Sequence, residues 1–313
     1  MILILGVTAS GKGRLAFGLA QQLDAEIISI DSMKVYRRMN IGTAKPSEQV
    51  REQMRHHLID VVEPSEPFSV GMFLEQTNKA IEEIGKRGRP IIAVGGTALY
   101  IKALLYGLFQ GPGSDAKIRD ELRGRAEAEG LEQLHKELAC IDPAAAERIH
   151  RNDAKRIVRA LEVYKITGKP ISSFQQQWSD QSEEPSAEGH NWTIIGLRRD
   201  KSDASGRINK RVRKMIDLGL VDEVRSLLAE DKPLSEQARC AIGYAEVIEH
   251  LAGGVSLEEA VEKIKINTRR LAKGQRTWFK TFKNVHWLNV KTDEPAEDIL
   301  ARARELLEHA KRD

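Results

Sequence analysis

A glycine-rich loop, Gly6-Val7-Thr8-Ala9-Ser10-Gly11-Lys12, lies between an apolar run at residues 1–5 and a helical pattern that opens at Lys12. A strand feeding such a loop into a helix aims backbone amides and the positive end of the helix at an anion, and the lysine neutralises it. The arrangement predicts an α/β fold built on a parallel sheet, with a diphosphate at its edge. The next residue departs from that pattern. A phosphate-binding loop normally places serine or threonine there to ligate magnesium, and this chain has Gly13. Magnesium is still expected as the cofactor of the phosphate site, but no side chain is assigned as its direct ligand.

Further apolar runs at residues 26–30, 58–62 and 90–94 alternate with helical or loop sequence, as a parallel sheet requires. A break at Gly111-Pro112-Gly113 is followed by helical, mixed-charge sequence and then by a polar stretch at 175–190. Residues 113–190 therefore read as an inserted all-helical module within a core of residues 1–112 and 191–313. The core resumes with strand-like runs at 192–197 and 285–289 and helical patterns at 205–218, 221–229, 241–251 and 257–282. Ser256 and Glu259 form a capping box at the start of the last of these. Thr292 and Pro295 precede a final helix.

Composition narrows the class. The 313 residues are 41% hydrophobic and 30% charged, typical of a water-soluble globular chain. The net charge is only +3, so a polyanionic partner has to be argued from where charge clusters. Cys140 and Cys240 lack metal-ligand spacing and are expected to be buried, reduced thiols of a cytoplasmic protein. No run is long enough to span a membrane, and the N-terminus lacks the features of a signal peptide.

Asp31 follows the second apolar run, where a parallel sheet gathers its ligands. It is a candidate general base or metal partner, and could equally cap the turn after it. Asp60 is the other carboxylate considered for metal. Gly95-Gly96-Thr97 forms a second glycine turn leading into a helix, a further set of amides at the same edge. Arg269, Lys273, Arg276 and Lys280 recur at helical spacing, as do Arg207, Lys210, Arg211 and Lys214, while Lys155, Arg156 and Arg159 cluster in the insertion. Three basic groupings in a nearly neutral chain favour a polyanion, with RNA the natural candidate. His56 and His57 are read as local hydrogen-bonding residues, and Trp178 as a packing residue or a platform for a base.

In order along the chain stand Gly6-x-Thr8-Ala9-x-Gly11-Lys12, Asp31-Ser32-Met33-x-Val35-Tyr36-Arg37 with Ile41-Gly42-Thr43-Ala44-Lys45-Pro46, Val94-Gly95-Gly96-Thr97-x-Leu99-Tyr100, Arg159-Ala160-Leu161-Glu162-Val163 and Gln275-x-Thr277-Trp278-Phe279. Together they resemble the bacterial tRNA dimethylallyltransferase (tRNA isopentenyltransferase) family over essentially the whole chain. The resemblance implies a P-loop NTPase-like parallel sheet flanked by helices, with a helical insertion that grips the tRNA anticodon stem-loop. It implies transfer of a dimethylallyl group from dimethylallyl diphosphate to the N6 amine of an adenosine next to the anticodon, at tRNA position 37, by a monomer. Asp31 matches the family's general base and Arg211 its phosphate-binding arginine. The diphosphate would be held by Gly6, Thr8, Ala9, Ser10, Gly11, Lys12, Gly13, Thr97 and Arg211, with Thr8 also touching Asp31. By the same resemblance the RNA contacts are Asp31, Ser32, Met33, Lys34, Thr97, Arg119, Lys155, Arg156, Ile157, Val158, Arg159, Arg239, Gly243, Tyr244, Lys273, Gln275, Arg276, Trp278 and Lys280.

The chain departs from the family pattern at Gly13, where threonine is usual, and at Lys34, where glutamine is common. Arg38 often has glycine as its counterpart, and Gly274 interrupts a usual Lys-Arg-Gln. These departures point to a weakened metal site or altered RNA contacts. Alternatives from other classes are a catalytically weakened tRNA-binding paralogue, a P-loop kinase or ATPase, and a relative that prenylates free adenine nucleotides.

Overall fold

In the computed structural model, residues 1–108, 111–174 and 191–309 are described. The chain divides into two units, Met1–Leu105 with His190–Asp313, and Tyr106–Gly189. The sequence reading placed the breaks after residues 112 and 190.

The first unit is built on six strands in the order β3-β2-β4-β1-β5-β6. They are β1 (Ile2–Gly6), β2 (Glu26–Ile30), β3 (His56–His57), β4 (Ile91–Gly95), β5 (Thr193–Arg199) and β6 (Val285–Val290). Every pairing is parallel. The sequences ILILG, EIISI and IIAVG are near-continuous apolar runs because the central strands are buried on both faces.

In chain order the helices of this unit are α1 (Lys12–Leu23), α2 (Glu48–Gln53), α3 (Val70–Lys86) and α4 (Ala98–Tyr106), the last running into the insertion. One sheet face, with Ile4, Ile27, Ile92, Ile195 and Leu288, packs on Leu15, Leu19 and Ala20 of α1. The alternate side chains Leu3, Leu5, Ile28 and Ile30 are equally buried, so the opposite face is covered too.

The second unit holds α5 (Ala116–Glu129), α6 (Leu131–Ile141), α7 (Pro143–Arg148), α8 (Ala154–Thr167) and α9 (Ile171–Phe174). Its own core contains Leu122, Leu134, Leu138, Ile157 and Leu161. After it the first unit continues with α10 (Lys201–Asp217), α11 (Leu220–Leu228), α12 (Glu236–Arg239), α13 (Tyr244–Leu251), α14 (Leu257–Phe279) and α15 (Ala296–His309). Ser256 and Glu259 make the expected capping box on α14. Residues of α15, including Ile299 and Ala303, pack on the same face as α1.

Several expectations change. The run at 58–62 is not a strand: Leu58 and Asp60 take φ of 60° and 56°, which breaks the ladder and leaves β3 with two residues. Asp60 is not free for metal either, since it pairs with Lys45 at 2.5 Å and Arg51 at 2.6 Å. Cys140 and Cys240 are exposed instead of buried. Each lies two residues beyond a core position, Leu138 and Ala238, and a two-residue step crosses to the far side of a helix. The stretch at 175–190, including Trp178, lies outside the described residues.

Glu26 opens β2 and is 1% exposed. It accepts hydrogen bonds from Arg87 Nε at 2.7 Å and Arg87 NH2 at 2.8 Å, and lies 2.7 Å from His57 Nε2. Burial alone would push its pKa up, but the hydrogen bonds and charges of Arg87 and His57 outweigh it and bring the pKa to about 2. A carboxylate depressed in this way stabilises the fold fully above its ordinary value and loses that contribution as pH falls towards the folded one. Native chain and Glu26→Gln compared in urea should therefore differ most above pH 4.5 and converge near pH 2. A difference that does not vary with pH would contradict this account.

Candidate active site

Because all strands run in one direction, the loops after β1, β2 and β4 emerge at the same edge of the sheet, where open α/β sheets bind ligands. The loop after β1 is held in shape from several sides. Arg199 Nε donates to Ser10 O at 2.8 Å, and Arg207 Nε donates to Ala9 O at 2.9 Å. Lys12 Nζ donates to Val7 O at 3.3 Å. Ala9 itself sits at φ 62°, a left-handed conformation costly for a residue with a side chain and retained only where its surroundings over-determine it. Beyond this brace the amides of Gly11, Lys12 and Gly13 have no acceptor among the described residues. They form the open N-terminus of α1.

Asp31 follows β2. Its Oδ1 accepts from the amides of Met33 at 2.9 Å and Lys34 at 3.2 Å, so one oxygen caps the turn. No hydrogen bond or ion pair among the described residues engages Oδ2. Thr97, after β4, accepts from the Ser32 amide at 3.2 Å and so ties this turn to the second glycine loop. Arg211 on α10 donates to Thr8 Oγ1 at 3.2 Å; that hydroxyl meets the arginine rather than Asp31. Burial lowers the Lys12 pKa to about 7, with the neighbouring Lys34 and Arg211 charges adding to the effect and Asp31 opposing it. Burial lowers Lys34 and Arg211 as well. The site therefore concentrates positive charge around a single carboxylate.

The residue after the loop offers no side-chain ligand for magnesium. A Cβ added at Gly13 would meet nothing within 4 Å, so the place for a ligating hydroxyl is open space. Among the described residues no group of three or more His, Cys, Asp or Glu side chains could hold a metal.

The residues expected to contact RNA fall into distinct environments. Lys155, Arg156, Arg239, Lys273 and Lys280 are exposed, and Arg276 and Trp278 partly so; Trp278 also carries Lys102 Nζ 5.9 Å above its ring. Ile157, Val158 and Tyr244 are buried, as is Gly243, so the side chains at 157, 158 and 244 build the fold rather than reach a partner. Tyr244 donates to Glu223 at 2.6 Å. Arg119 and Arg159 pair with Glu162 at 2.9 and 2.7 Å, and Arg159 also donates to Pro112 O at 2.7 Å. His56 makes the expected local contact, with Met54 O at 2.7 Å, whereas His57 reaches Glu26 on the neighbouring strand, also at 2.7 Å.

Gln275 has a place that its sequence context did not reveal. From α14 its Oε1 accepts the Thr8 amide at 2.8 Å, while its Nε2 donates to Gly96 O at 2.8 Å. One buried amide thus fixes the distance between the two glycine loops. Position 96 has to be glycine for this approach, since a Cβ there would lie 2.6 Å from Gln275 Nε2. Arg199 and Arg207 were also missed as loop braces, because nothing local in sequence marks a contact made across nearly two hundred residues. Gln275→Leu leaves a buried donor and a buried acceptor unpaired, at about 1–3 kcal/mol each. Urea denaturation should show the loss; an unchanged midpoint would remove Gln275 from the brace.

The IPP transferase family model matches residues 34–282. The tRNA dimethylallyltransferase of Geobacter metallireducens is 46% identical over 290 residues, covering 92% of this chain and 92% of that protein. That of Acetivibrio thermocellus is 44% identical, covering 96% of this chain and 95% of its own length. The crystal structure of the full-length tRNA isopentenylpyrophosphate transferase from Bacillus halodurans superposes with a TM-score of 0.71 at 38% identity, covering 98% of this chain and 95% of that one. A eukaryotic dimethylallyltransferase solved in crystallographic snapshots acting on tRNA superposes with a TM-score of 0.80 at 27% identity, covering 99% of this chain and 79% of that one. A P-loop NTPase-like parallel sheet with two glycine loops, an aspartate and an arginine at one edge, matched over most of its length by these proteins, makes this chain a member of the IPP transferase family.

Proposed function

We propose that the chain transfers a dimethylallyl group from dimethylallyl diphosphate to the N6 amine of an adenosine next to the anticodon of tRNA, releasing diphosphate. The observation that carries the reading is Asp31. One carboxylate oxygen is committed to the amides of Met33 and Lys34, which fixes the group, and the other is left without a partner beside the cations that would hold the diphosphate. The relatives named as tRNA dimethylallyltransferases support the substrate pair.

In this reading the amine nitrogen forms a bond to C1 of the prenyl group as the C1–O bond breaks. The bonding electron pair leaves on the diphosphate, and the nitrogen's proton passes to Asp31. An exocyclic amine is a poor nucleophile because its lone pair is delocalised into the ring, so a fixed base has a defined task. The amides at the start of α1, Lys12 and Arg211 face the oxygen on which negative charge grows, and stabilisation of developing charge in a preorganised site is the larger part of such catalysis. Gly13 leaves magnesium, expected from the sequence, without the side-chain ligand usual at that position.

Each unit has exposed cations, Lys155 and Arg156 in the insertion and Arg239, Lys273 and Lys280 in the core, and each set by itself suits contacts to RNA phosphates. Such contacts offset the few kcal/mol needed to unstack the target base. We place the enzyme in the cytoplasm as a monomer. Among the described residues no helix is long and apolar enough to cross a membrane.

The test is transfer of radiolabelled dimethylallyl diphosphate to unmodified tRNA. Native chain should label an anticodon-loop adenosine. Asp31→Ala should lower the rate by roughly a hundred- to ten-thousand-fold while keeping tRNA affinity. No label with the native chain, despite salt-sensitive tRNA binding, would leave an RNA-binding protein without this chemistry.

A further inference from the structure

Lys34 is the charged group at the site that the reaction as written does not use. It stands in the turn whose backbone is pinned to Asp31, and its ammonium has no hydrogen-bond or ion-pair partner among the described residues. Its charge acts on Lys12 across the site, and it is itself acted on by Asp31 and Arg211. Three basic side chains therefore share a single carboxylate, Asp31. A cluster of that kind is unfavourable by itself, because like charges disfavour one another in a poorly hydrated site. An anionic diphosphate bound among them removes the repulsion. Position 13 supplies neither a hydroxyl nor any other side-chain metal ligand.

We propose that Lys34 completes a metal-sparing diphosphate cradle with Lys12 and Arg211, its ammonium providing the counter-charge that a protein-held magnesium ion supplies in other phosphate-binding loops. The proposal rests on the prenyl-transfer reading and names the group that makes its leaving site work. The partly buried setting of Lys34 also separates it from the exposed lysines suited to RNA phosphates. As the C1–O bond breaks, the electron pair arrives on an oxygen faced by the two lysines and the arginine, while the proton from nitrogen goes to Asp31. Lys12, with its pKa near 7 in the ligand-free site, takes up a proton when the anion arrives.

The experiment is calorimetric binding of inorganic diphosphate to the full-length chain in EDTA, for the native protein, Lys34→Gln and Lys34→Arg, with tRNA affinity measured in parallel. Native chain should bind without metal, and its heat should change with buffer ionisation enthalpy because a proton is taken up. Lys34→Gln should weaken metal-free binding at least about tenfold, a loss of 1.4 kcal/mol per factor of ten, with tRNA affinity held within about twofold. Lys34→Arg should restore most of it. Gly13→Thr in the Lys34→Gln background should make diphosphate binding depend on added magnesium. The proposal is overturned if native binding disappears in EDTA and returns with magnesium, if Lys34→Gln binds diphosphate as well as native, or if that variant loses tRNA affinity alone. Metal-free diphosphate binding together with no prenyl transfer by the native chain would uphold the cradle and sink the transferase reading, so the two fail separately.

Discussion

Everything at the active edge depends on the parallel direction of the sheet. β1 lies between β4 and β5, with β2 beyond β4, so segments far apart in sequence deliver their following loops to one edge. The phosphate loop, the Asp31 turn and the Gly95-Gly96-Thr97 turn are neighbours for that reason alone. Burial on both faces fixes the register: slipping a strand by one residue would exchange the side chains on its two faces. The carboxyl ends are thus aligned by apolar packing, which leaves the polar residues there free for chemistry.

The same edge is electrostatically unbalanced, and the Arg207 charge adds to the repulsion on Arg211. Arg199 and Arg207 spend part of their hydrogen-bonding capacity on the carbonyls of Ser10 and Ala9. They fix the backbone of the loop, while Lys12 and Arg211 donate to Val7 O and Thr8 Oγ1. Gln275, a neutral group, joins the two glycine loops without adding charge. Because Gln275 lies on the helix that also displays Lys273 and is capped by Lys280, the loop spacing and part of the exposed basic surface belong to one element.

Much of this was legible in the sequence where the signal was local. The phosphate loop, the second glycine turn, the position of Asp31 and the capping box on α14 each depend on a few consecutive residues, and each is found in place. Sequence reasoning failed where long-range packing decides. Gln275 resembles a surface residue within a basic stripe, and only the fold shows it buried between two loops. The left-handed Leu58 and Asp60 interrupt what hydrophobicity alone makes a strand. Cys140 and Cys240 are small and apolar enough to suggest burial, but the phase of each helix carries them outward. Ile157, Val158 and Tyr244 lie within basic or motif-rich segments yet serve the interior, because proximity to a charged residue along the chain says nothing about which way a helix turns its neighbour.

Ala9 carries one more consequence. Its left-handed backbone stores strain of about 1–3 kcal/mol, held by the arginine contact on its carbonyl. The same loop leaves the amides of Gly11, Lys12 and Gly13 without an acceptor among the described residues before any anion arrives. At this residue thermodynamic comfort and readiness to bind are opposed. The loop has been set towards readiness, and the stability forgone there is recovered in the apolar layers beneath it.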